Sequence, residues 1–169
     1  LLDDPDIDLV VIATPNDTHF PLAKAALEAG KHVVVDKPFT VTLSQARELE
    51  SLAKHCGRIL SVFHNRRWDS DFLTVSALIN EGQLGEVCYF ESHFDRFRPQ
   101  VRQRWREQAG PGSGIWYDLA PHLLDQVVVL FGLPVSITVD LAQLRPGAQS
   151  TDYFHAVLAY PQRRVVLHG

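Results

Sequence analysis

The residues in this sequence best equipped for chemistry are a lysine that follows a strand-like run and an acid–histidine pair near the start of a helix-like one. Lys37 stands directly after "HVVVD", between Asp36 and Pro38. Asp118 and His122 lie four apart in "SGIWYDLAPHLLDQVVVLFG". A lysine held between an acid and a proline is either a fixed positive charge aimed at a substrate hydroxyl or cofactor ring, or a surface lysine paired with Asp36. An acid and a histidine at helical spacing share one face. They are either a favourable first-turn carboxylate and a satisfied core histidine, or an imidazole oriented by a carboxylate for proton transfer near neutral pH. The run "GPGSG" just before them favours the second, because it lets backbone approach a ligand closely at a helix start. Gln126 continues the same face, Asp125 lies beside it, and Leu119, Leu123, Val127 and Leu130 form another.

The elements that must position these groups can be read from periodicity. "DLVVIATP" is a continuous apolar run ending at Pro15, as a strand buried on both faces would be. A helix follows, capped by Asp17 or Thr18, with Pro21 in its first turn and Gly30 as its stop. "HVVVD" is a second strand. Thr42 and Gln45 stand in capping-box spacing before a helix that ends at Gly57, and "RILSVF" is a third strand. Strand, helix, strand, helix, strand with short connections implies a parallel sheet with right-handed crossovers. Ligands of such sheets bind outside the carboxyl ends of the strands. "TPNDTH", "DKP" and "HNRR" all fall there. In the first of these, either Asn16 and Asp17 cap the turn and His19 is solvated, or Thr14, Asn16 and His19 contact a ribose or nicotinamide edge.

After "HNRRWD" the pattern changes. A helix covers Asp69 to Asn80, a long strand spans Glu86 to Phe97, and a charged stretch leads into the helix carrying Asp118. "VSITVDLAQL", "DYFHAVLAY" and "RRVVLHG" then alternate apolar and polar residues, as in an antiparallel sheet. The expected architecture is α/β: a parallel sheet with its crossover helices, then, past a boundary near His64 to Asp69, a unit with a largely antiparallel sheet. A chain that enters one strand at once and closes on another reads as a fragment.

Composition narrows the partners. With 46% hydrophobic residues, 21% charged and a net charge of −4, nothing argues for nucleic acid or an anionic membrane surface. No apolar run approaches a bilayer span, and no basic-then-apolar leader is visible. Cys56 and Cys88 sit far apart, in keeping with reduced thiols and a cytoplasmic location. Asp118 and His122 could also ligate a metal, but no HExxH, paired CxxC or tight histidine cluster supports a metal site. No GxSxG elbow suggests a nucleophilic hydrolase.

Taken together, "TPN..H...A..AL.AGKHV..DKP", "HNRRWD.DF", "WRE" and "GSG..YDLAPHLLD...LFG.P" resemble the glucose-fructose oxidoreductase / inositol dehydrogenase (Gfo/Idh/MocA) family over essentially the whole chain. "FHNRRWDSDF" and "FRPQVRQRWRE" look most like the bacterial branch that includes NADP-dependent scyllo-inositol dehydrogenases. The resemblance implies an enzyme that exchanges hydride between NADP or NAD, with NADP favoured, and a small polyol or sugar. It also implies the second half of a Rossmann-type parallel sheet over residues 1–66, part of an α+β domain with a largely antiparallel open sheet over 67–169, and a homodimer formed through that C-terminal sheet. By the same resemblance, Lys37 contacts substrate and nicotinamide, and His122 is the acid/base with Asp118 its partner. Thr14, Pro15, Asn16 and His19 match the cofactor-side loop, and Asp36 and Pro38 flank the lysine. Asn65, Arg66, Trp105 and Arg106 match positions beside the cofactor and substrate. Asp36 replaces the family's usual glutamate and Ala120 its usual glycine. The glycine-rich pyrophosphate turn is expected ahead of Leu1. Two other readings stand beside this one: a non-catalytic binding or assembly fragment of the fold, and a metal-dependent sugar hydrolase or isomerase using Asp118 and His122.

Overall fold

A computed structural model describes all residues, Leu1 to Gly169. The chain divides into two compact units, Leu1–Phe63 and His64–Gly169.

In the first unit, β1 (Leu9–Ile12), β2 (His32–Asp36) and β3 (Leu60–Phe63) form a parallel sheet in the order β1-β2-β3. Helices α1 (His19–Glu28) and α2 (Leu43–Cys56) are the crossovers. The register pairs Ile12 with Val35 and Val10 with Val33, and the strands' core face meets Ala23, Ala26 and Leu27 of α1 and Leu49 and Ala53 of α2. β1 is not buried on both faces as its apolar run suggested: Leu9 and Val11 are 50% and 65% exposed. Two successive same-handed crossovers put both helices over one side of the sheet. The other side therefore carries Leu9, Val11 and Phe63 uncovered.

Local signals set the helix ends. Thr42 Oγ1 accepts from the Gln45 amide at 3.3 Å, and Gly57 closes α2 in the left-handed conformation, φ 63°. Gln45 Oε1 reaches back to the amide of Val41 at 3.3 Å, one residue before the cap, so the box is displaced by a position. The expected capping of α1 by Asp17 or Thr18 does not occur. A 3₁₀ turn over Asn16–Thr18 precedes α1, and the Thr18 hydroxyl instead donates to the carbonyl of Pro15 at 2.7 Å.

The second unit holds α3 (Ser70–Asn80), β4 (Tyr89–His93), α4 (Gly114–Phe131), β5 (Ser136–Ala142), β6 (Tyr153–Ala159) and β7 (Arg164–His168). The sheet order is β4-β7-β6-β5. β5–β6 and β6–β7 are antiparallel, whereas β4 runs parallel to β7, so the sheet is mixed. β4 is shorter than the Glu86–Phe97 strand expected, because its one partner, β7, offers five residues, and Pro99 and five arginines lie between β4 and α4. Phe154, Ala156 and Leu158 of β6 and Val165 and Leu167 of β7 pack against Leu119, Leu123 and Val127 of α4. Trp116 meets Phe154 edge-on at 5.4 Å.

The start of α4 is fixed by one glycine. Gly114 has φ +88°, and a Cβ there would come within 2.9 Å of both the amide nitrogen and the carbonyl oxygen of Thr151. Its neighbour Ile115 donates its amide to that carbonyl at 2.7 Å. A side chain at Gly114 would thus both strain the backbone and push α4 from β6. Gly114→Ala should destabilise this unit by about 1–3 kcal/mol, read as a lower urea midpoint. Gly132→Ala, at φ +74° with open space around it, should cost less. Equal midpoints for the two variants would contradict this account of how α4 is seated.

Candidate active site

The polar groups at the carboxyl edge of the first sheet are organised by His19. Its ring is 1% exposed, not solvated. Nδ1 lies 2.8 Å from the carbonyl of Pro38 and Nε2 lies 2.9 Å from the carbonyl of Thr14. One imidazole therefore ties the loop after β1 to the loop after β2. Both nitrogens face acceptors, so a singly protonated ring donates to one carbonyl and a doubly protonated ring to both. Asn16 is buried beside it, and the hydroxyls of Thr14 and Thr18 are 2.6 Å apart. Asp36 Oδ1 accepts the backbone amide of Lys37 at 2.8 Å, which fixes the turn, and the Lys37–Pro38 peptide is cis. Lys37 itself is half-buried.

In the second unit, α4 carries its polar stripe as the spacing suggested, and each member has a defined setting. His122 is 6% exposed, with the ring of Phe94 at 6.4 Å edge-on. The Arg66 guanidinium covers that same phenyl ring at 4.8 Å, so Phe94 stands against both His122 and Arg66. Gln126 donates to the carbonyl of Arg66 at 3.0 Å, and Asp125 receives Arg67 through two bonds of 2.7 and 2.6 Å. These bonds tie the 3₁₀ turn Asn65–Trp68 to α4. Burial pushes the His64 imidazole down, partly opposed by Asp125 at 3.7 Å. Asn65 is exposed.

Asp118, one turn before His122, opens on a cleft of about 320 Å³ within this unit. Arg106 approaches its carboxylate at 3.5 Å while lying over the Trp105 ring at 4.4 Å. Deeper in the wall, burial would raise Glu107, but the Arg102 amide at 3.0 Å and Arg104 at 2.7 Å hold its carboxyl below the usual range. Arg145 links Glu107, at 3.2 Å, to Asp152, at 2.8 Å. Asp152 is likewise lowered, burial being outweighed by the amides of Leu144 and Arg145 and the Arg145 side chain.

Helical spacing drew attention to Asp118 and His122, and the family resemblance to Trp105 and Arg106, but neither to Phe94, Glu107, Arg145 or Asp152, which meet only through the fold. It also missed a histidine group. His93 and His155 each pair directly with His168 across the second sheet, and Asp95 accepts from His168 at 2.8 Å and His93 at 3.2 Å. Strand register brings together residues that are 62 or more positions apart for His93 and His155, as 155 minus 93 shows. A search for local spacing cannot find such a group.

Comparison with known proteins agrees with this layout. Residues 1–64 match the oxidoreductase family's NAD-binding Rossmann fold, and residues 76–168 match the family's C-terminal alpha/beta domain. The chain belongs to the Gfo/Idh/MocA oxidoreductase family. It is 85% identical over 169 residues to the oxidoreductase YdgJ of Escherichia coli, covering 100% of this chain and 49% of that protein. It is 42% identical to scyllo-inositol 2-dehydrogenase (NADP(+)) IolW of Bacillus subtilis, covering 100% of this chain and 47% of that one. Among solved structures, the oxidoreductase yvaA from Bacillus subtilis superposes with a TM-score of 0.96 at 42% identity, over 99% of this chain and 48% of that chain. The chain spans about half the length of the curated relatives it matches.

The His19 tie yields a direct expectation. His19→Leu removes the ring that joins the carbonyls of Pro38 and Thr14, and a buried carbonyl left without its donor costs about 1–3 kcal/mol. Hydrogen exchange at the amides of Thr18 and Lys37 should accelerate, while amides in the second unit keep their rates. Unchanged exchange in both loops would mean that His19 does not hold them.

Proposed function

We propose that the protein is an NAD(P)-dependent oxidoreductase acting between a nicotinamide and a hydroxyl or ketone of a sugar or cyclic polyol. The observation that carries this reading is the pair Asp118–His122, one helical turn apart. The imidazole is buried and the carboxylate lies on an open cleft. Residues 1–66 are then the C-terminal half of the dinucleotide-binding domain, and 67–169 part of the substrate and oligomerisation domain.

His122 takes the hydroxyl proton in oxidation and returns it in reduction. Asp118 fixes the imidazole and stabilises its cation, and Lys37 polarises the reacting oxygen. Burial serves His122 in this role: a ring shut away from bulk water keeps one orientation and exchanges its proton with the substrate. The polar groups available for a dinucleotide fit its chemistry. Thr14, Pro15 and Asn16 follow β1, and Asp36 ends β2 with Lys37 and Pro38 after it, at the strand ends where α/β sheets take ligands. Asn65, Arg66, Trp105 and Arg106 are assigned to the cofactor and substrate surroundings by the same reading. When bound, the nicotinamide supplies the hydride-accepting carbon. The likeness to an NADP-dependent relative favours NADP over NAD. The reading takes the protein as cytoplasmic. It also takes it as a homodimer through the open face of the second sheet, where Tyr89, Glu91 and His93 are exposed.

With protein expressed from the full reading frame that encodes this chain, His122→Ala should lower kcat by about 10²–10⁴, the usual contribution of general acid–base catalysis. The Kd for NADP should stay near its original value. Full turnover in that variant would remove His122 from the reaction.

A further inference from the structure

The cleft beside Asp118 is more positive than its own carboxylates can balance. Arg96, Arg98, Arg104, Arg106 and Arg145 all line it. Three carboxylates share the wall: Glu107 engages Arg104 and Arg145, Asp152 engages Arg145, and Asp118 faces Arg106. Five guanidinium groups less three carboxylates leaves two positive charges, and Arg96 and Arg98 are the arginines with no carboxylate partner. Burial, and then repulsion from Arg96, Arg104 and Arg102, pushes the Arg98 guanidinium down. The start of α4 faces the same space through Ile115 and Asp118, and adds the positive end of an 18-residue helix.

This arrangement has a built side and a free side. The carboxylate side chains of Glu107 and Asp152 are only 8% and 4% exposed and engage Arg104 and Arg145, and Arg145 also donates to the carbonyls of Arg98 and Gln100 at 3.0 and 3.3 Å. The segment bearing Arg98 is thus anchored through its backbone, which leaves the Arg98 side chain available to the cleft. An uncompensated guanidinium at a cleft wall is a fork for an oxyanion, which it binds through paired hydrogen bonds.

We propose that the substrate of this site carries an anionic group, a carboxylate or phosphate on a sugar or polyol ring, and that Arg98 with Arg96 receives it while Asp118 faces the ring. The proposal rests on the oxidoreductase reading for the identity of the reacting end, but the anion site stands on the cleft alone. A cavity of about 320 Å³ suits one such ring with its charged substituent. Arg96 and Arg98 act as specificity-determining residues: they recognise a group distant from the reacting carbon.

The test is calorimetric binding of three one-ring probes, glucose, glucuronate and glucose 6-phosphate, to protein expressed from the full reading frame that encodes this chain. Glucuronate, if the group is a carboxylate, or glucose 6-phosphate, if it is a phosphate, should bind about tenfold or more tightly than glucose. That is the scale of one charge-assisted hydrogen bond. Arg98→Gln should erase the preference, Arg98→Lys should keep only the part that charge alone supplies, and raised salt should weaken it. Arg96→Gln provides the second reading should Arg98→Gln not fold. Equal binding of all three probes, no binding of either acid, or a preference that survives both glutamine variants would overturn the proposal. So would an effect of those variants on NADP affinity alone. Turnover separates this inference from the one beneath it. Tight binding of an acid with no oxidation by NADP would leave the anion site standing and sink the oxidoreductase reading. Oxidation of neutral polyols with no advantage for the acids would do the reverse.

Discussion

The second unit depends on one seam. Leu119, Leu123 and Val127 of α4 must bury themselves against Phe154, Leu158 and Leu167 of the sheet. Each such side chain removed from water contributes about 1.5–3 kcal/mol, so the rotation of α4 about its axis is set by packing before any polar group is considered. That rotation decides where Asp118 and His122 stand. With the leucines turned to the sheet, His122 lies at the edge of the buried seam beside Phe94, and Asp118, one turn earlier, reaches the cleft. Gly114 permits the helix to begin close against Thr151, so the site's carboxylate lies near the helix's positive end.

Charge in this unit is arranged in two layers. The inner layer is neutralised: the largely buried carboxylates of Glu107 and Asp152 engage the partly exposed Arg104 and Arg145 and also accept backbone amides. Buried ions of this kind are tolerated only when so satisfied. The outer layer is not neutralised, and it faces the cleft.

Much of this was legible in the sequence, for identifiable reasons. Thr42, Gln45 and Gly57 are local signals acting on the residues next to them, and α2 begins and ends where they say, although the Gln45 side chain serves Val41 in place of Thr42. The polar face of α4 was legible because helical periodicity is local too. What could not be read depends on partners distant in sequence. The exposure of Leu9 and Val11 follows from both crossovers covering one side of the sheet, which an apolar run cannot reveal. β4's length is set by β7, some 75 residues later as 164 minus 89 gives, and the parallel pairing of the two makes the sheet mixed. His19 read equally well as a solvated turn residue or a ligand contact. Its two carbonyl partners lie on different loops, so only the fold shows that it ties them together.

The central claim is that this chain forms part of a nicotinamide-dependent oxidoreductase of polyols. Its most direct measurement is label transfer. Protein from the full reading frame would be incubated with NADP and a cyclic polyol, or its acid, deuterated at the carbinol carbon, and the reduced cofactor weighed by mass spectrometry. The account requires a reduced nicotinamide heavier by one deuterium. Reduced cofactor without the label, or ring chemistry that leaves NADP unchanged, would contradict it.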